Sequence, residues 1–551
     1  MALTINLKKK VHRKVWESVF TQLPVATAAG AIWVGDNLNM GDGSQAYYIT
    51  GVSSVYLYRK DEEAFGLLPN SGSAGTFGAG AAGFVHPVGP SFTASAGTTT
   101  GFTSALTINR DLRGYRFRVT GGTNKGVEGI ISSNSLGANS AFKTVDTYTA
   151  FDNTSVIVLL TNRLWFYVPG ATSGFNYYDF AANAWTSRSV VSGPAITANE
   201  GCLIGTPAQE AVMETGTASG AGTTTLLDAT RSWTVNEFAR CLLKVISGTG
   251  AGSYRYITSN TAGALTLDTS LTTDATSVYE ISGNWSDVAS AGATTSITVG
   301  TGTPFTASQW IGYQVRAVAG TGAGQVAVIT ANTSSSISFA AVSTAFDATT
   351  RYVIEPDDNA LYFLGGAAVT LFKYSISANT WSTLTPTAAR AAVVGAGASA
   401  SWIGNVKDPL WRGVGSTGGY SANLKTNGRY ILSFRGTAGG VLDVYDIPVN
   451  TWYSGVNYAG ASNETFTTGS TYCDVGGFIY VQKDATGRFF RFDVARNDLQ
   501  PLTTNATTQG AAISGARLIV DKYTDAANGK SLRWLYWALN TSTQIQRMLE
   551  I

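Results

Sequence analysis

The stretch Tyr374-Ser375-Ile376-Ser377-Ala378-Asn379-Thr380-Trp381 decides how the chain reads. It returns as Tyr178-Asp-Phe-Ala-Ala-Asn183-Ala-Trp185 and as Tyr445-Asp-Ile-Pro-Val-Asn450-Thr-Trp452. Looser copies run from Phe492 through Asn497 to Leu499 and from Tyr58 to Phe65. The spacing predicts a strand that ends on the aromatic, a turn at Asn, and a second strand that opens at the Trp. A phrase that recurs in this way predicts a repeat architecture. Tyr178, Trp185, Tyr374, Trp381, Tyr445 and Trp452 are therefore read as structural repeat positions. Their rings are expected in the core rather than on sugar-binding platforms, because each occupies the same place in its repeat.

Apolar strands precede the phrase: Leu164-Trp-Phe-Tyr167, Leu361-Tyr-Phe-Leu364, Tyr430-Ile-Leu-Ser-Phe434 and Phe478-Ile-Tyr-Val481. A glycine step then follows at Gly365-Gly366 or Gly439-Gly440. Strand, glycine turn, strand, Asn turn and strand together resemble the blade of a Kelch-type β-propeller, with its double glycine, Tyr and Trp. The pattern departs from that family at Tyr178, where the double glycine is missing, and in the later copy, where it sits at Gly476-Gly477. The resemblance implies an all-β propeller of about six blades, within the usual range of roughly 4–8. The blades would lie near residues 32–68, 156–190, 359–384, 429–453, 476–502 and 516–551. The last of these lacks the phrase and is expected to pair with N-terminal strands so that the ring closes. A generic antiparallel sandwich with similar turns is the competing reading.

A second repeat interrupts the first. Its clearest copy carries Thr223-Thr-Thr-Leu-Leu-Asp228, Leu242-Leu-Lys-Val-Ile246, Gly248-Thr-Gly-Ala-Gly252, Tyr254-Arg-Tyr-Ile257, Asn260-Thr261 and Asp274-Ala-Thr-Ser-Val-Tyr279. The next copy has Gly312-Tyr-Gln-Val-Arg316, Gly320-Thr-Gly-Ala-Gly324, Asn332-Thr333 and Asp347-Ala-Thr349. A divergent earlier copy keeps Thr98-Thr-Thr100, Gly114-Tyr-Arg-Phe-Arg118 and Asp152-Asn-Thr-Ser155. Three small β-sandwich or barrel modules of about 60–65 residues follow, near the lower edge of domain sizes. The expected division is an N-terminal arm and first blade at 1–70, a Gly-rich linker at 71–95 and a first module at 96–159. A propeller blade at 160–215, a second module at 216–284, a third at 285–356 and the remaining blades at 357–551 complete it. The modules are expected in the loops between blades, at the surface, where insertion costs little.

Bulk properties agree with an all-β chain. Of 551 residues 13% are charged and 11% aromatic, and Gly alone numbers 62, a composition suited to many strands and turns. The net charge of +2 gives no overall bias toward nucleic acid or membrane. No apolar run reaches the roughly 18 residues of a spanning helix. The basic start Lys8-Lys-Lys-Val-His-Arg-Lys14 is read as a solvated terminus, with a nucleic-acid arm as the alternative. No apolar stretch follows it, so a signal peptide is not expected. Cys202, Cys241 and Cys473 are far apart and odd in number, which suggests no disulfide framework and folding in a reducing cytoplasm.

Candidate chemistry is thin. With only His12 and His86, multi-histidine sites are hard to build, and no Gly-x-Ser-x-Gly elbow accompanies His86. The copper oxidase sites of some Kelch-type propellers need His ligands and are not carried over. The Gly248–Gly252 and Gly320–Gly324 loops lack the Lys-Ser/Thr ending of a phosphate loop and lead into strands, so they read as hairpin turns. Asp152, Asp274 and Asp347 read as Asp turns, with a calcium role as the alternative. Asp357-Asp358 and Glu62-Glu63 are adjacent, which puts each pair on opposite faces of a strand. No catalytic, cofactor-binding or metal residue is assigned, and no enzyme activity or cofactor is expected.

The module pattern resembles a module of virion proteins from tailed bacteriophages. A large propeller interrupted by β domains is also similar to the nozzle proteins of short-tailed phages. The resemblance implies a structural virion subunit, made in a bacterial cytoplasm, that acts by assembly as a ring-forming nozzle or hub protein of the tail. Its partners would be further copies of itself, with a hexamer as one candidate ring, and other tail or head–tail proteins. Two alternatives from other classes stay open: an adhesin for a host-surface receptor or glycan, and a polysaccharide-degrading enzyme.

Overall fold

The computed structural model describes residues 17–18, 33–35, 46–50, 54–59, 64–69, 82–168, 174–194, 202–205, 212–220, 222–300, 302–364, 369–391, 399–402, 430–435, 440–447, 449–461, 463–466, 470–475, 478–483, 488–494, 496–502, 517–525, 530–538 and 545–550. Among these residues every regular element is a β-strand, so the chain is all-β. The basic start, His12, and the double glycines at 365–366 and 476–477 lie outside the described residues.

The recurrent phrase folds as a hairpin. Leu371–Ser375 and Thr380–Thr383 pair antiparallel with Tyr374 opposite Trp381. Tyr178 faces Trp185, Tyr445 faces Trp452, Phe492 faces Leu499 and Tyr58 faces Phe65 in the same register. The turn needs one residue in the left-handed region, which Asn tolerates better than most side chains. Asn183, Asn379, Asn450 and Asn497 take it, with φ between 52° and 56°. The Tyr374 hydroxyl donates to Asn379 Oδ1 at 2.7 Å, and Tyr445 does the same to Asn450 at 2.7 Å.

Five sheets carry these hairpins, and a sixth joins the chain ends. Sheet I holds Trp33–Gly35, Ala46–Thr50, Val55–Arg59 and Ala64–Leu67. Sheet II holds Ala82–His86, Arg163–Tyr167, Phe175–Asp179 and Ala184–Ser187. Sheet III holds Cys202–Gly205, Ala360–Leu364, Leu371–Ser375 and Thr380–Thr383. Sheet IV holds Ser399–Trp402, Tyr430–Phe434, Val441–Asp446 and Thr451–Asn457. Sheet V runs Thr471–Val475, Phe478–Lys483, Arg488–Asp493 and Asp498–Pro501, with the short Ala459–Gly460 parallel at its far edge. Sheet VI joins the chain ends: Arg517–Asp525, Lys530–Ala538 and Ile545–Glu550 are completed by Glu17–Ser18.

The sheets stack through aromatic layers. Between sheets II and III lie Trp165, Tyr167 and Phe175 against Phe363, Tyr374 and Trp381. Tyr362 and Leu371 of sheet III meet Ile431, Tyr445 and Trp452 of sheet IV. Sheets IV and V share Leu432, Phe434, Ile479 and Phe490, and sheets V and VI share Tyr480, Phe489, Leu535 and Met548. The first-named strand of each sheet lies beside the first-named strand of the next, in the order I, II, III, IV, V, VI and back to I.

Two expected boundaries are corrected. The linker at 71–95 contains the strands Ala82–His86 and Ser91–Thr93, and residues 71–81 lie outside the described part. Gly-rich composition hid a strand whose Phe84 and Val85 pair with Trp165 and Leu164. The modules do not sit between sheets. The first leaves after Ala82–His86 and returns at Arg163–Tyr167, which are hydrogen-bonded neighbours of sheet II. The second and third together span the gap between Cys202–Gly205 and Ala360–Leu364, neighbours in sheet III. Antiparallel neighbours place their ends side by side, so a hairpin loop accepts a domain whose own termini are close. Val156–Leu160, which the blade at 156–190 and the first module at 96–159 both claimed, therefore belongs to the first module.

The three modules share one topology. The third is a closed six-stranded barrel in the order Trp285–Gly292, Ser296–Val299, Ser336–Phe339, Val326–Asn332, Tyr313–Ala319 and Arg351–Pro356. Its long first strand closes it by pairing with Arg351–Pro356 through one half and with Ser296–Val299 through the other. The first module has that strand in two pieces, Ser91–Thr93 and Ala96–Thr98, bonded to Val156–Leu160 and Gly101–Thr103 respectively. At the change of partner a buried alanine donates its N–H to a matching carbonyl in every module: Ala94 to Ser155, Ala218 to Ser277 and Ala289 to Thr350, each at 2.9–3.0 Å.

Candidate functional site: the three-module head

The glycine loops are hairpin turns. Gly248, Gly250 and Gly252 have positive φ, as do Gly320, Gly322 and Gly324, and Asn124 replaces the middle glycine in the first module between Gly122 and Gly126. Each Asp turn is tied to its loop by hydroxyls. Asp274 Oδ1 accepts from Thr276 N at 2.8 Å, and its Oδ2 accepts from Thr249 Oγ1 at 2.7 Å. Asp152 accepts from Thr154 N and Thr123 Oγ1, at 2.9 and 2.6 Å, and Asp347 accepts from Thr349 N at 2.7 Å. Hydroxyl donors from Thr123 and Thr154 hold the exposed Asp152 carboxylate down at about 2. These bonds account for the carboxylates as turn anchors.

The loop tips also join the modules. Gly126 (φ 91°) packs so closely that a Cβ would stand 2.7 Å from Val318 O of the third module. Gly324 (φ 85°) would bring a Cβ to 2.5 Å from Thr120 O of the first. A glycine is needed at both, for the turn and for the approach.

Behind the tips lies a buried polar centre that sequence reading missed. Arg118, Lys244 and Arg316 occupy the same position in the three modules, opposite Glu128, Tyr254 and Val326 on the neighbouring strand. All three cations are buried. Arg118 Nε donates to Glu128 Oε1 at 2.5 Å, and Lys244 Nζ reaches Glu128 Oε2 across the module boundary at 2.8 Å. Arg116 of the first module pairs with Glu280 of the second. Arg316 grips Glu355 through Nε at 2.8 Å and Nη2 at 3.1 Å, and Gln314 Nε2 donates to the same carboxylate at 2.8 Å. Burial alone would raise Glu128, but Arg118, Lys244, Arg316 and Arg116 outweigh it and hold the group well below its ordinary range. Burial pulls Lys244 down to about 8, against the opposing pull of Glu128 and Glu280. The signal was present: each strand quoted above from Arg116, Leu242 and Gln314 breaks its apolar run with a cation at one repeated place.

The head is anchored to the sheets by His86 and Asp358. His86 Nε2 lies 2.7 Å from the Asp358 carbonyl, linking the strand that leaves for the first module to the segment returning from the third. Val88 N donates to His86 Nδ1 at 3.3 Å, so the ring is neutral with its proton on Nε2. Burial depresses His86 to about 4. The Asp358 side chain, half-buried, is raised to about 7 by desolvation and then by Glu355, with Arg118 opposing. The other member of its pair, Asp357, is buried and accepts from Lys373 Nζ at 3.2 Å and from Asn359 N at 3.0 Å. Glu62 and Glu63 lie outside the described residues.

The repeat aromatics lie apart from this centre. Trp381 is 6% and Trp452 3% exposed, each between two sheets, whereas Trp185 is half-buried against Phe166 and Tyr178 of its own sheet and donates Nε1 to Pro69 O, just beyond sheet I, at 2.9 Å. Trp381 Nε1 donates to Ser189 O at 2.9 Å and Arg188 Nε donates to the Tyr374 hydroxyl at 2.8 Å, so the phrase of sheet III also fastens sheet II. Among the described residues no group of three His, Cys, Asp or Glu side chains is placed to hold a metal, and no helix is long and apolar enough to cross a membrane.

No family model matches the chain, and no curated protein is similar to it. Among solved structures, a glutaminyl cyclase of Myxococcus xanthus aligns at 11% identity over 48% of this chain and 94% of its own, with a TM-score of 0.21. An auxiliary nutrient-binding protein of Bacteroides thetaiotaomicron aligns at 8% identity over 86% and 97%, with a TM-score of 0.23. A sialidase of Streptococcus pneumoniae aligns at 9% identity over 94% and 82%, with a TM-score of 0.22. Likenesses at this level carry no argument about fold or activity.

Proposed function

We propose that the chain is a six-bladed β-propeller bearing a three-module head, and that it works by assembly as a structural subunit of a tailed-phage virion, in a ring at the tail. The propeller reading is supported by the cyclic adjacency of the six sheets and by the N-terminal strand completing the last one. Radial repetition of this kind leaves only short, protected edges and makes a rigid base.

The observation that carries the assembly reading is the head's construction. Three modules of one strand order are joined in series, with Lys244–Glu128 and Arg116–Glu280 at the first joint and Leu242, Tyr254, Val318 and Val353 at the second. A subunit already built from repeated module-to-module contacts is suited to repeat them between chains. Ring assembly requires a heterologous interface, one patch meeting a different patch. The module motif's resemblance to phage virion proteins supplies the setting. Mass spectrometry of purified particles, with electron microscopy of the isolated chain, tests this. The expected result is a stoichiometric virion component that forms rings; a secreted monomer with glycan hydrolase activity would overturn it.

A further inference from the structure

We propose that the outward face of the strand Val326–Asn332, in the third module, is a self-association surface, and that its occupant is the first module of a second copy of this chain. The inference rests on the assembly reading above and names the contact that would carry it.

The argument comes from the joints within one chain. The first module presents Glu128, on the strand Glu128–Asn134, to Lys244 of the second, and Arg116 to Glu280. The second presents Leu242 and Tyr254 to Val318 and Val353 of the third. In register, Glu128 corresponds to Tyr254 and to Val326, and Ile130 to Tyr256 and to Val328. Glu128 and Tyr254 are 5% and 2% exposed, but Val326 and Val328 are 42% and 38% exposed. The series of joints ends at the third module with its presenting face uncovered and apolar.

The receiving face is left over at the other end. Positions Val158 and Leu160 of the first module correspond to Glu280 and Ser282 of the second, and to Val353 and Glu355 of the third. The later four are buried, Glu280 against Arg116 and Val353 against Leu242 and Tyr254 of the preceding module, whereas Val158 and Leu160, with Val156 beside them, are half-exposed. One apolar strip therefore lacks a cover, and the chemically matching strip lies at the start of the same series. Within one chain the first and third modules touch at their loop tips, Gly126 against Val318 and Gly324 against Thr120, and this contact leaves Val326 and Val328 open. A second copy supplies the missing neighbour. The contact is head-to-tail, the type a ring needs. Stable interfaces bury roughly 1,200–2,000 Å², so the valine strip forms the centre and flanking polar strand faces supply the rest.

The test uses the full chain. Sedimentation velocity over a concentration series should show reversible self-association of the wild type, weakened about tenfold or more by Val328→Glu, a change at an exposed position that leaves the fold intact. Val328→Cys and Val158→Cys chains, each made alone, are then mixed and oxidised with the wild type as baseline. A disulfide-linked pair should form in the mixture and in neither variant alone. A wild type that stays monomeric, association that Val328→Glu leaves unchanged, a Val328→Cys homodimer, or an intrachain bond when both cysteines are placed in one chain each overturns the proposal. All these readouts are made on the isolated chain, whereas presence in particles is read by mass spectrometry, so failure here and failure of the virion reading are told apart.

Discussion

The sheets and the head of this molecule are held together by different physics. Between sheets the adhesive is aromatic: Tyr374, Trp381, Tyr167 and Phe175 pack with ring centroids 4.7–5.7 Å apart, and their polar tips find bonds at the rim. Within the head it is charge: Arg118 pairs with Glu128 and Arg316 with Glu355 inside a module, and Lys244 with Glu128 across a joint. Aromatic burial stabilises by area and tolerates variation in the partner. A buried ion pair returns little net stability over an apolar replacement, but it penalises a wrong partner heavily. The sheets are thus built for strength and the head joints for selectivity, which suits modules that are copies of one another and must dock in a set order.

The largest effect that would break this comparison lies at Glu355. Replacing it with Ala removes the buried carboxylate that Arg316 and Gln314 bond and should cost about 3–5 kcal/mol. The double change Arg316→Met with Glu355→Leu should be neutral or stabilising by about 1–4 kcal/mol. Denaturant unfolding of the three chains measures both. A double variant as unstable as the single one would mean the pair contributes net strength, and the contrast would fail. In the aromatic layer, Trp381→Ala should cost about 3–5 kcal/mol, and Trp185→Ala roughly half as much because it is half-buried. Equal losses at the two positions would show that the phrase acts through its turn and not through inter-sheet burial.

The aromatic half of the molecule was legible in the sequence, and the charged half was not. The phrase at Tyr374–Trp381 encodes a local event, one hairpin with an Asn in its turn, and local patterns survive in a linear reading. The module boundaries were partly legible for the same reason. Ala82–His86 was lost to composition, because Gly and Ala around Phe84 and Val85 mask a strand whose identity depends on its partner at Arg163–Tyr167. The polar centre was hidden because Lys244 and Glu128 are 116 positions apart, and Arg116 and Glu280 are 164 apart. Only the repeat register, laid over all three copies, aligns Arg118, Lys244 and Arg316.

A smaller effect sharpens the comparison at the joint between the two regions. His86 is depressed from 6.5 to about 4, so its neutral form stabilises the fold fully above about pH 6.5, and that contribution is lost as pH falls through 4. The displacement corresponds to about 3 kcal/mol at most. Asp358 runs the other way: raised from 3.8 to about 7, it stabilises most below 3.8 and loses that contribution as pH rises through 7. The two slopes oppose each other between pH 4 and 6.5, so the wild type should show a shallow melting profile there. His86→Gln removes one slope and leaves Asp358, so the variant should become relatively more stable as pH drops. Parallel melting profiles for the two chains would place the titration elsewhere.

The smallest effect concerns the turn that defines the sheets. Asn379 does two jobs: its backbone sits at φ 56°, and its Oδ1 accepts from the Tyr374 hydroxyl at 2.7 Å and from Ser189 N at 2.9 Å. The first job is conformational and Gly can do it; the second is not, since Gly has no acceptor. Asn379→Gly should therefore cost about 0.5–1.5 kcal/mol for the lost bonds, and Asn379→Ala about 1 kcal/mol more for the left-handed backbone. Ser189 belongs to the segment leaving sheet II, so the lost bond also loosens the fastening between sheets II and III. Hydrogen exchange should register this as faster exchange at Ser189 N in both variants, with the hairpin amides of Tyr374 and Trp381 affected mainly in Asn379→Ala. Equal stability of the Gly and Ala chains would mean that the side-chain acceptor, not the left-handed turn, is what fixes Asn in the recurrent phrase.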